Sequence, residues 1–405
     1  MDSMIELLAS LIILTIGAAL SYKDIRISLV ASIVAVLVMM ISGNAAYSAM
    51  ILFVALLNIF SLYAMRQNQI AGLDYALVAI MAIATLYVFM VDNLAMMLVL
   101  FMVVSAPTYL LVMVSDKNLN VDVGIKYVTF MVIATVLFII GAVLLYSTTN
   151  PLIYSLAFLM LIIGLSMEVG VAPVHEWVPD VFASADPIPV SIIASLAKFV
   201  PFIIAYKIIV ATATPSLWPL LVVVGLIAAA SMFVGNIGAL TTNEPSRILA
   251  YSTVANMGYI LATFVAVTAG KEYIYFAIAG GLLQLFVNSF GKVGYFASIK
   301  SEGTSPITAY LLTFSFIGLP PLMGFWSKLF IIYSLVYSQF IWLAVILVLN
   351  SAISVPYYIR LARLLGTGWK FNLTSAVVLF ASIAMLITLI PPMWFVDLVS
   401  MMKGV

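Results

Sequence analysis

Residues 164–190 read GLSMEVGVAPVHEWVPDVFASADPIPV, and residues 318–328 read GLPPLMGFWSK. Both runs put Gly and Pro into the middle of an otherwise apolar stretch. Proline removes a backbone donor and its ring clashes with the preceding turn, so the runs predict two helices broken at Pro173 and at Pro320 and Pro321. Irregular backbone at membrane depth is tolerated only where it is buried in protein or lines a wet cavity. Paired broken helices in two halves therefore point to an inverted-repeat architecture.

Working outward, composition supplies the membrane this reading requires. Of 405 residues, 65% are hydrophobic and 8% are charged, against about 25% charged in soluble domains. The net charge is +1 and no Lys/Arg cluster tracks a phosphate backbone, which argues against a nucleic-acid partner. With no cysteine, disulfides, thiolate iron–sulfur ligation and Cys-zinc sites are excluded; His175 alone builds neither a haem pair nor an imidazole cluster, so no metal site is expected. Apolar stretches of about 20 residues select helices over a barrel.

Breaking the chain at charges, Gly/Pro and polar turns gives about fourteen spans, near 4–21, 27–43, 47–65, 74–91, 94–115, 124–147, 151–182, 188–210, 216–242, 246–269, 272–298, 305–336, 338–362 and 373–396. The expectation is an all-α integral membrane protein of about 14 transmembrane helices, with two inverted five-helix repeats and two discontinuous helices. Its parts are a three-helix segment (1–70), a first repeat (71–212), a second repeat (213–364) and a C-terminal helix (365–405). Residues 1–3 carry no basic region and no cleavage site follows, so the first span reads as a retained helix. Outward termini place Lys23, Arg26, Arg66, Lys117, Arg247, Lys300, Arg360, Arg363 and Lys370 inside. Only Lys207, Lys271 and Lys403 then lie outside, as the positive-inside rule requires.

Five charges remain within or close to apolar spans: Lys126, Lys198, Lys292, Lys328 and Glu168. A lysine near the bilayer centre costs about 2.5–3.5 kcal/mol on insertion scales, so these groups should face the interior and water, where they can exchange protons. Each has a structural alternative. Lys126 and Lys292 could snorkel to the interface, and Glu168 could simply neutralise a lysine. His175 is as well suited to capping freed backbone as to shuttling protons. Asp180 and Asp186 are placed to cap the helices around the first break. Asn256 and Asn288 could bond across helices or bind water.

The segment APVHEWVPDVFASADPIPVSIIASLAKF (172–199) resembles the proton-channel region of the antiporter-like membrane subunits of respiratory complex I. Further matches follow at GNIGALTTNEPSRILAYSTVANMGYIL (235–261) and FIGLPPLMGFWSKLF (316–330). The wording WVPDVF and the lack of a long carboxy-terminal lateral helix look like the N-type subunit of that family. Multi-subunit sodium/proton antiporters and membrane-bound hydrogenases share the fold. The resemblance implies that Lys198 is the lysine of the eighth helix, Lys328 that of the broken twelfth helix, Lys126 that of the sixth and Lys292 one of the eleventh, with Asn288 where L-type members carry histidine. Two departures follow from the same alignment. The family's broken-helix lysine falls on Glu168, and NLAMMLVLFMVVSAPTYLL (93–111) puts its fifth-helix glutamate on Met102.

The implied function is proton translocation along these buried groups and water, driven by redox chemistry in partner subunits. The chain carries no redox site of its own, and quinone, flavin and iron–sulfur clusters are expected in the partners. Those partners would be M-, K-, J-, A- and H-type subunits within a prokaryotic plasma membrane. Two rival readings stay open: a subunit of a cation/proton antiporter, and a non-conducting structural subunit of the same membrane arm. If Glu168 is paired, its expected partner is Lys126 or Lys198.

Overall fold

A computed structural model of the chain describes residues 2–41, 43, 45–65, 70–115, 120–214, 217–369 and 372–402, and every regular element among them is helical. Helices α1 (Asp2–Leu20), α2 (Ile25–Met40) and α3 (Ala45–Leu62) come first. They are followed by α4 (Leu73–Val88), α5 (Leu94–Leu111), α6 (Val121–Ser147), α7 (Pro151–Val169), α8 (Trp177–Ser184), α9 (Pro187–Ala194) and α10 (Phe199–Thr212). The remainder comprises α11 (Trp218–Thr241), α12 (Pro245–Leu261), α13 (Lys271–Lys300), α14 (Pro306–Ile317), α15 (Met323–Tyr337), α16 (Ile341–Leu365), α17 (Leu373–Ala384) and α18 (Met393–Ser400). Helices fall on each of the fourteen stretches expected from sequence. Among the described residues, nine are long and apolar enough to cross a membrane alone, and six further apolar helices have 10–17 residues. Arg66, Lys117, Lys370 and Lys403, used above for orientation, lie outside the described residues.

Local sequence explains the boundaries. Asn93, Asn120 and Asn150 cap α5, α6 and α7 by accepting from first-turn amides. Pro stands in the first turn of α7, α9, α11, α12 and α14, where its missing N–H costs nothing. The two expected breaks are present, but each helix stops before its proline. Gly170 (φ 84°) ends α7 and Gly318 (φ 92°) ends α14, both left-handed, a conformation other residues adopt only with strain.

The breaks are braced from elsewhere. The Ala172 amide donates to Ser231 Oγ of α11 (3.2 Å), and the Met323 amide at the start of α15 donates to Met385 O (3.2 Å). Their tips depart from expectation. Pro173 and Leu319–Pro321 reach the surface of the chain, whereas the freed carbonyls of α7 and α14 turn inward.

The expected span 188–210 is also interrupted. A 3₁₀ turn at Leu196–Lys198 separates α9 from α10, because Pro201 has no N–H for the Ala197 carbonyl and its ring clashes with it. Similarly, Pro391 and Pro392 precede α18 and divide the last expected span.

Segments α9–α10, α12 and α13 form the buried centre, while α6 and α16 lie toward the outside. Several helix pairs meet at backbone contact. A Cβ on Gly164 would stand 2.5 Å from Phe138 N, and one on Gly235 2.4 Å from Ala255 N, so α6 on α7 and α11 on α12 pack as closely as chains allow.

Candidate functional site

The end of α7 leaves its last carbonyls without helical donors, and Lys198 fills that gap. Its Nζ donates to Glu168 O (2.9 Å) and sits 5.0 Å from the Trp177 ring centroid; Trp177 Nε1 in turn donates to Met167 O (2.9 Å). The Glu168 side chain points to α5, where Ser105 Oγ donates to Oε1 (2.7 Å). Its other oxygen, Oε2, is buried with no protein partner. The Glu168 and Lys198 charges lie near enough to interact. Met102, one turn before Ser105, is 44% exposed, so α5 meets Glu168 through a hydroxyl.

The second break repeats the pattern of a lysine on a helix end. Lys328 Nζ donates to Phe316 O (2.9 Å) and Ile317 O (3.0 Å) at the end of α14, 5.2 Å from the Tyr259 ring centroid. Lys292 donates to Leu249 O (2.6 Å) and to Ser252 Oγ, beneath the Phe316 ring.

Between these lysines runs a buried polar column. Asn256 Nδ2 donates to Ser252 O (2.6 Å) and the Tyr358 hydroxyl (3.1 Å), Gln284 Nε2 to Asn256 Oδ1 (2.5 Å), and Ser327 Oγ to Gln284 Oε1 (2.5 Å). A second cluster joins Asn236 Nδ2 to Asn350 Oδ1 (2.9 Å) and the Tyr259 hydroxyl (3.2 Å), while the Tyr357 hydroxyl donates to Asn236 Oδ1 (2.8 Å). Asn288 Nδ2 donates to Ala194 O (2.7 Å), linking α13 to the break before Lys198.

Several expectations need correction. Lys126 is not an interior cation: its side chain is 43% exposed and pairs with Asp180, because one turn into α6 it is still at the helix end. Of the two expected partners for Glu168, only Lys198 lies beside it. Asp180 caps nothing, since it sits inside the first turn of α8; Asp186 does cap α9, accepting from the Ile188 amide (3.1 Å), and also binds Lys300 (2.6 Å). His175 lies part-exposed in the α7–α8 turn, with Nδ1 3.4 Å from Pro173 O. Lys207, assigned above to an outer loop, is fully buried and donates to Val88 O (2.9 Å), Phe89 O (3.4 Å) and Val91 O (2.7 Å) past the end of α4.

Asn58, Asn236, Gln284 and Asn350 were not among the residues expected at the site. Amides within apolar spans, weighed alongside the charges, would have pointed to them. Among the described residues, no group of three or more His, Asp or Glu is placed to hold a metal.

Residues 91–354 match the family model described as NADH:quinone oxidoreductase/Mrp antiporter, transmembrane. The chain belongs to this family. It is 29% identical over 329 residues to NADH-quinone oxidoreductase subunit N 2 of Koribacter versatilis, covering 73% of this chain and 66% of that relative. The chain spans 58–74% of the length of the first curated relatives it matches. In fold it is similar to a chain of respiratory complex I from Thermus thermophilus (TM-score 0.78, 21% identity, covering 96% of this chain and 98% of that one). It is also similar to a chain of the membrane-bound sulfane sulfur reductase, an archaeal respiratory membrane complex (TM-score 0.82, 16% identity, 98% and 96%). It is thus a multi-pass membrane protein with the antiporter-like fold.

Proposed function

We propose that this family member is an N-type proton-translocating subunit of a complex I-like quinone oxidoreductase. Protons move from Glu168 and Lys198 past Asn288 to Lys292, and along the Asn256–Gln284 column to Lys328. Lys126 lies at the mouth, paired with Asp180, and His175 is a supporting group at the first break. On this reading the chain crosses the membrane fourteen times with both termini outside, in a prokaryotic plasma membrane. Residues 1–70 precede two inverted five-helix repeats, 71–212 and 213–364, and the last crossing lies in 365–405. M-, K-, J-, A- and H-type subunits adjoin it and hold the quinone site, flavin and iron–sulfur clusters.

One observation carries the reading. Lys198, Lys292 and Lys328 are each buried, and each ammonium rests on a main-chain carbonyl instead of a carboxylate. A cation fixed for structure alone is held by an opposite charge or, as at Lys207, by enough carbonyls to occupy all three ammonium hydrogens, whereas these three lysines each have at most two hydrogen-bond acceptors and a ring face. At Lys292 and Lys328 the acceptors are neutral, so no unpaired anion is left when the proton departs; at Lys198 the neighbouring Glu168 carboxyl is available to take it. Each proton moved against 100 mV costs about 2.3 kcal/mol, which redox chemistry in the partners must supply.

The test is Lys198→Ala in the purified complex in proteoliposomes, scored as protons moved per quinone reduced. The ratio is expected to fall while quinone reduction persists. An unchanged ratio would remove Lys198 from the path, and a ratio that follows sodium rather than protons would move the assignment to cation/proton antiport.

A further inference from the structure

The break that carries Lys198 is held open from outside. In a continuous helix the amide of Lys198 would bond the carbonyl of Ala194. Here it bonds Ser195 O instead (3.2 Å), and Ser195 adopts φ −111°, ψ −86°. The Ala194 carbonyl is thereby released inside a fully buried segment, beside the Ser195 hydroxyl, which donates to Ile192 O at a long 3.4 Å; unpaired polar groups there are costly. Two asparagines from other parts of the chain meet them. Asn288 of α13 takes the Ala194 carbonyl (2.7 Å), and Asn58 of α3 donates to Ser195 Oγ (3.0 Å).

Asn58 grips the segment at two points. Its Oδ1 lies 3.3 Å from Ser191 Oγ, one turn earlier on α9, which shares its one proton with Ile188 O (2.7 Å), and its second amide hydrogen is anchored on Val54 O within its own helix (3.0 Å). The side chain is completely buried, so no water competes for these bonds. Lys198 follows Ser195 by three residues, and this turn aims its Nζ at Glu168 O.

We propose that Asn58 is a positioning residue for proton transfer at Lys198: by holding Ser191 and Ser195, it keeps the α9–α10 break in the geometry that seats the lysine on the end of α7. The assignment rests on Lys198 being part of the proton path, and gives α3, within the segment 1–70, a part in positioning it. Asn58 touches neither the lysine nor its acceptor and acts through the serines.

The experiment uses the whole complex in proteoliposomes. Variants Asn58→Leu, Ser195→Ala, their double, and Lys198→Ala are scored as protons moved per quinone reduced per assembled complex, and as the pH profile of that ratio. Asn58→Leu keeps the branching and the number of heavy atoms, at somewhat larger volume, and removes the bonds. Both single variants are expected to lower the ratio about fivefold or more. The double should be no worse than the worse single, because both cut the same link. A merely structural Asn58 would lower the amount of complex assembled and leave ratio and profile unchanged, which overturns the proposal, as would additive losses in the double. If Asn58→Leu does not assemble, Ser195→Ala decides alone, an unchanged ratio overturning it. A normal ratio in Lys198→Ala would bring down the proton-path reading itself; a loss there with normal Asn58 and Ser195 variants would bring down only this inference.

Discussion

Replacing Gly164 by alanine inserts one methyl group where α7 crosses α6. It would stand 2.5 Å from Phe138 N, 2.8 Å from Ala134 O and 2.9 Å from Phe138 Cα, all backbone atoms that have no rotamer in which to retreat. Comfortable separation is about 3.5–4.0 Å, so the helices must part by about 1 Å. Overpacking of this kind costs about 1–3 kcal/mol. The effect reaches the site because Glu168 lies one turn further along α7. Its carboxylate sits 2.7 Å from Ser105 and its carbonyl 2.9 Å from Lys198, bonds that weaken when α7 shifts. Gly235 faces the same distances across α11 and α12 (2.4 Å to Ala255 N, 2.6 Å to Tyr251 O), so Gly235→Ala should cost the same. Gly270 is the control: its added Cβ would meet only Tyr273 ring atoms at 3.6 Å or beyond. Thermal unfolding of the purified complex should show Gly164→Ala and Gly235→Ala destabilised, and Gly270→Ala within about 0.5 kcal/mol of the parent. If Gly164→Ala matches Gly270→Ala, the close packing of these pairs is not what holds the lysine sites in place.

Further outcomes follow from the same contacts. Lys126→Gln breaks a pair whose partners are 43% and 49% exposed, so it should cost no more than about 0–1 kcal/mol, less in high salt, and leave protons per quinone almost unchanged in proteoliposomes. Lys207→Met removes the donor from Val88 O and Val91 O, and should lower thermal stability by about 1–3 kcal/mol for each carbonyl left dry, with the proton ratio per assembled complex retained. Asp186→Ala loses both the cap of α9 and the bond to Lys300; a loss of about 1 kcal/mol or more in thermal unfolding is expected, and none would show that the α8–α9 turn is held by apolar packing alone. Glu168→Gln should alter the pH profile of the proton ratio, and a superimposable profile would make the carboxylate structural.

What the sequence could reveal was set by contrast. Charges stand out in a chain with 65% hydrophobic residues, which is why Lys198, Lys292, Lys328 and Glu168 are legible from the amino-acid order alone. Breaks that combine Gly and Pro are legible for the same reason. Lys207 escaped because it lies near a span end, where a lysine normally snorkels; only the fold shows that the α4–α5 connection wraps over it. Lys126 differs in the opposite direction, since one turn of depth does not distinguish an interior face from an exposed helix end. The break before α10 was masked because Pro201 stands three residues beyond Lys198, in the position where a first-turn proline is innocuous, and the segment stays apolar throughout. The network of Asn236, Asn256, Gln284 and Asn350 draws on α11, α12, α13 and α16, so its existence is a property of packing and not of any one span.

The acceptors separate buried lysines that burial alone does not distinguish. Lys207 has carbonyl oxygens at 2.7, 2.9 and 3.4 Å, enough to occupy the three hydrogens of an ammonium, one from the last residue of α4 and two from the connection that follows it. It is a cation fixed at a helix end, where the dipole is favourable and every donor is used. Lys198 has one carbonyl and a ring face, and Lys328 has two carbonyls of the same helix end and a ring face. A tryptophan or tyrosine face attracts the ammonium without accepting a directed proton from it, so at least one N–H of each lysine remains available to a mobile acceptor. At the first site a candidate acceptor is Oε2 of Glu168, buried without a protein partner on the residue whose own carbonyl anchors the lysine. On the proposed proton path the same position would supply both the anchor and an exchangeable group, a carboxylate on α7 serving beside Lys198 where Met102 leaves α5 with only a hydroxyl to offer.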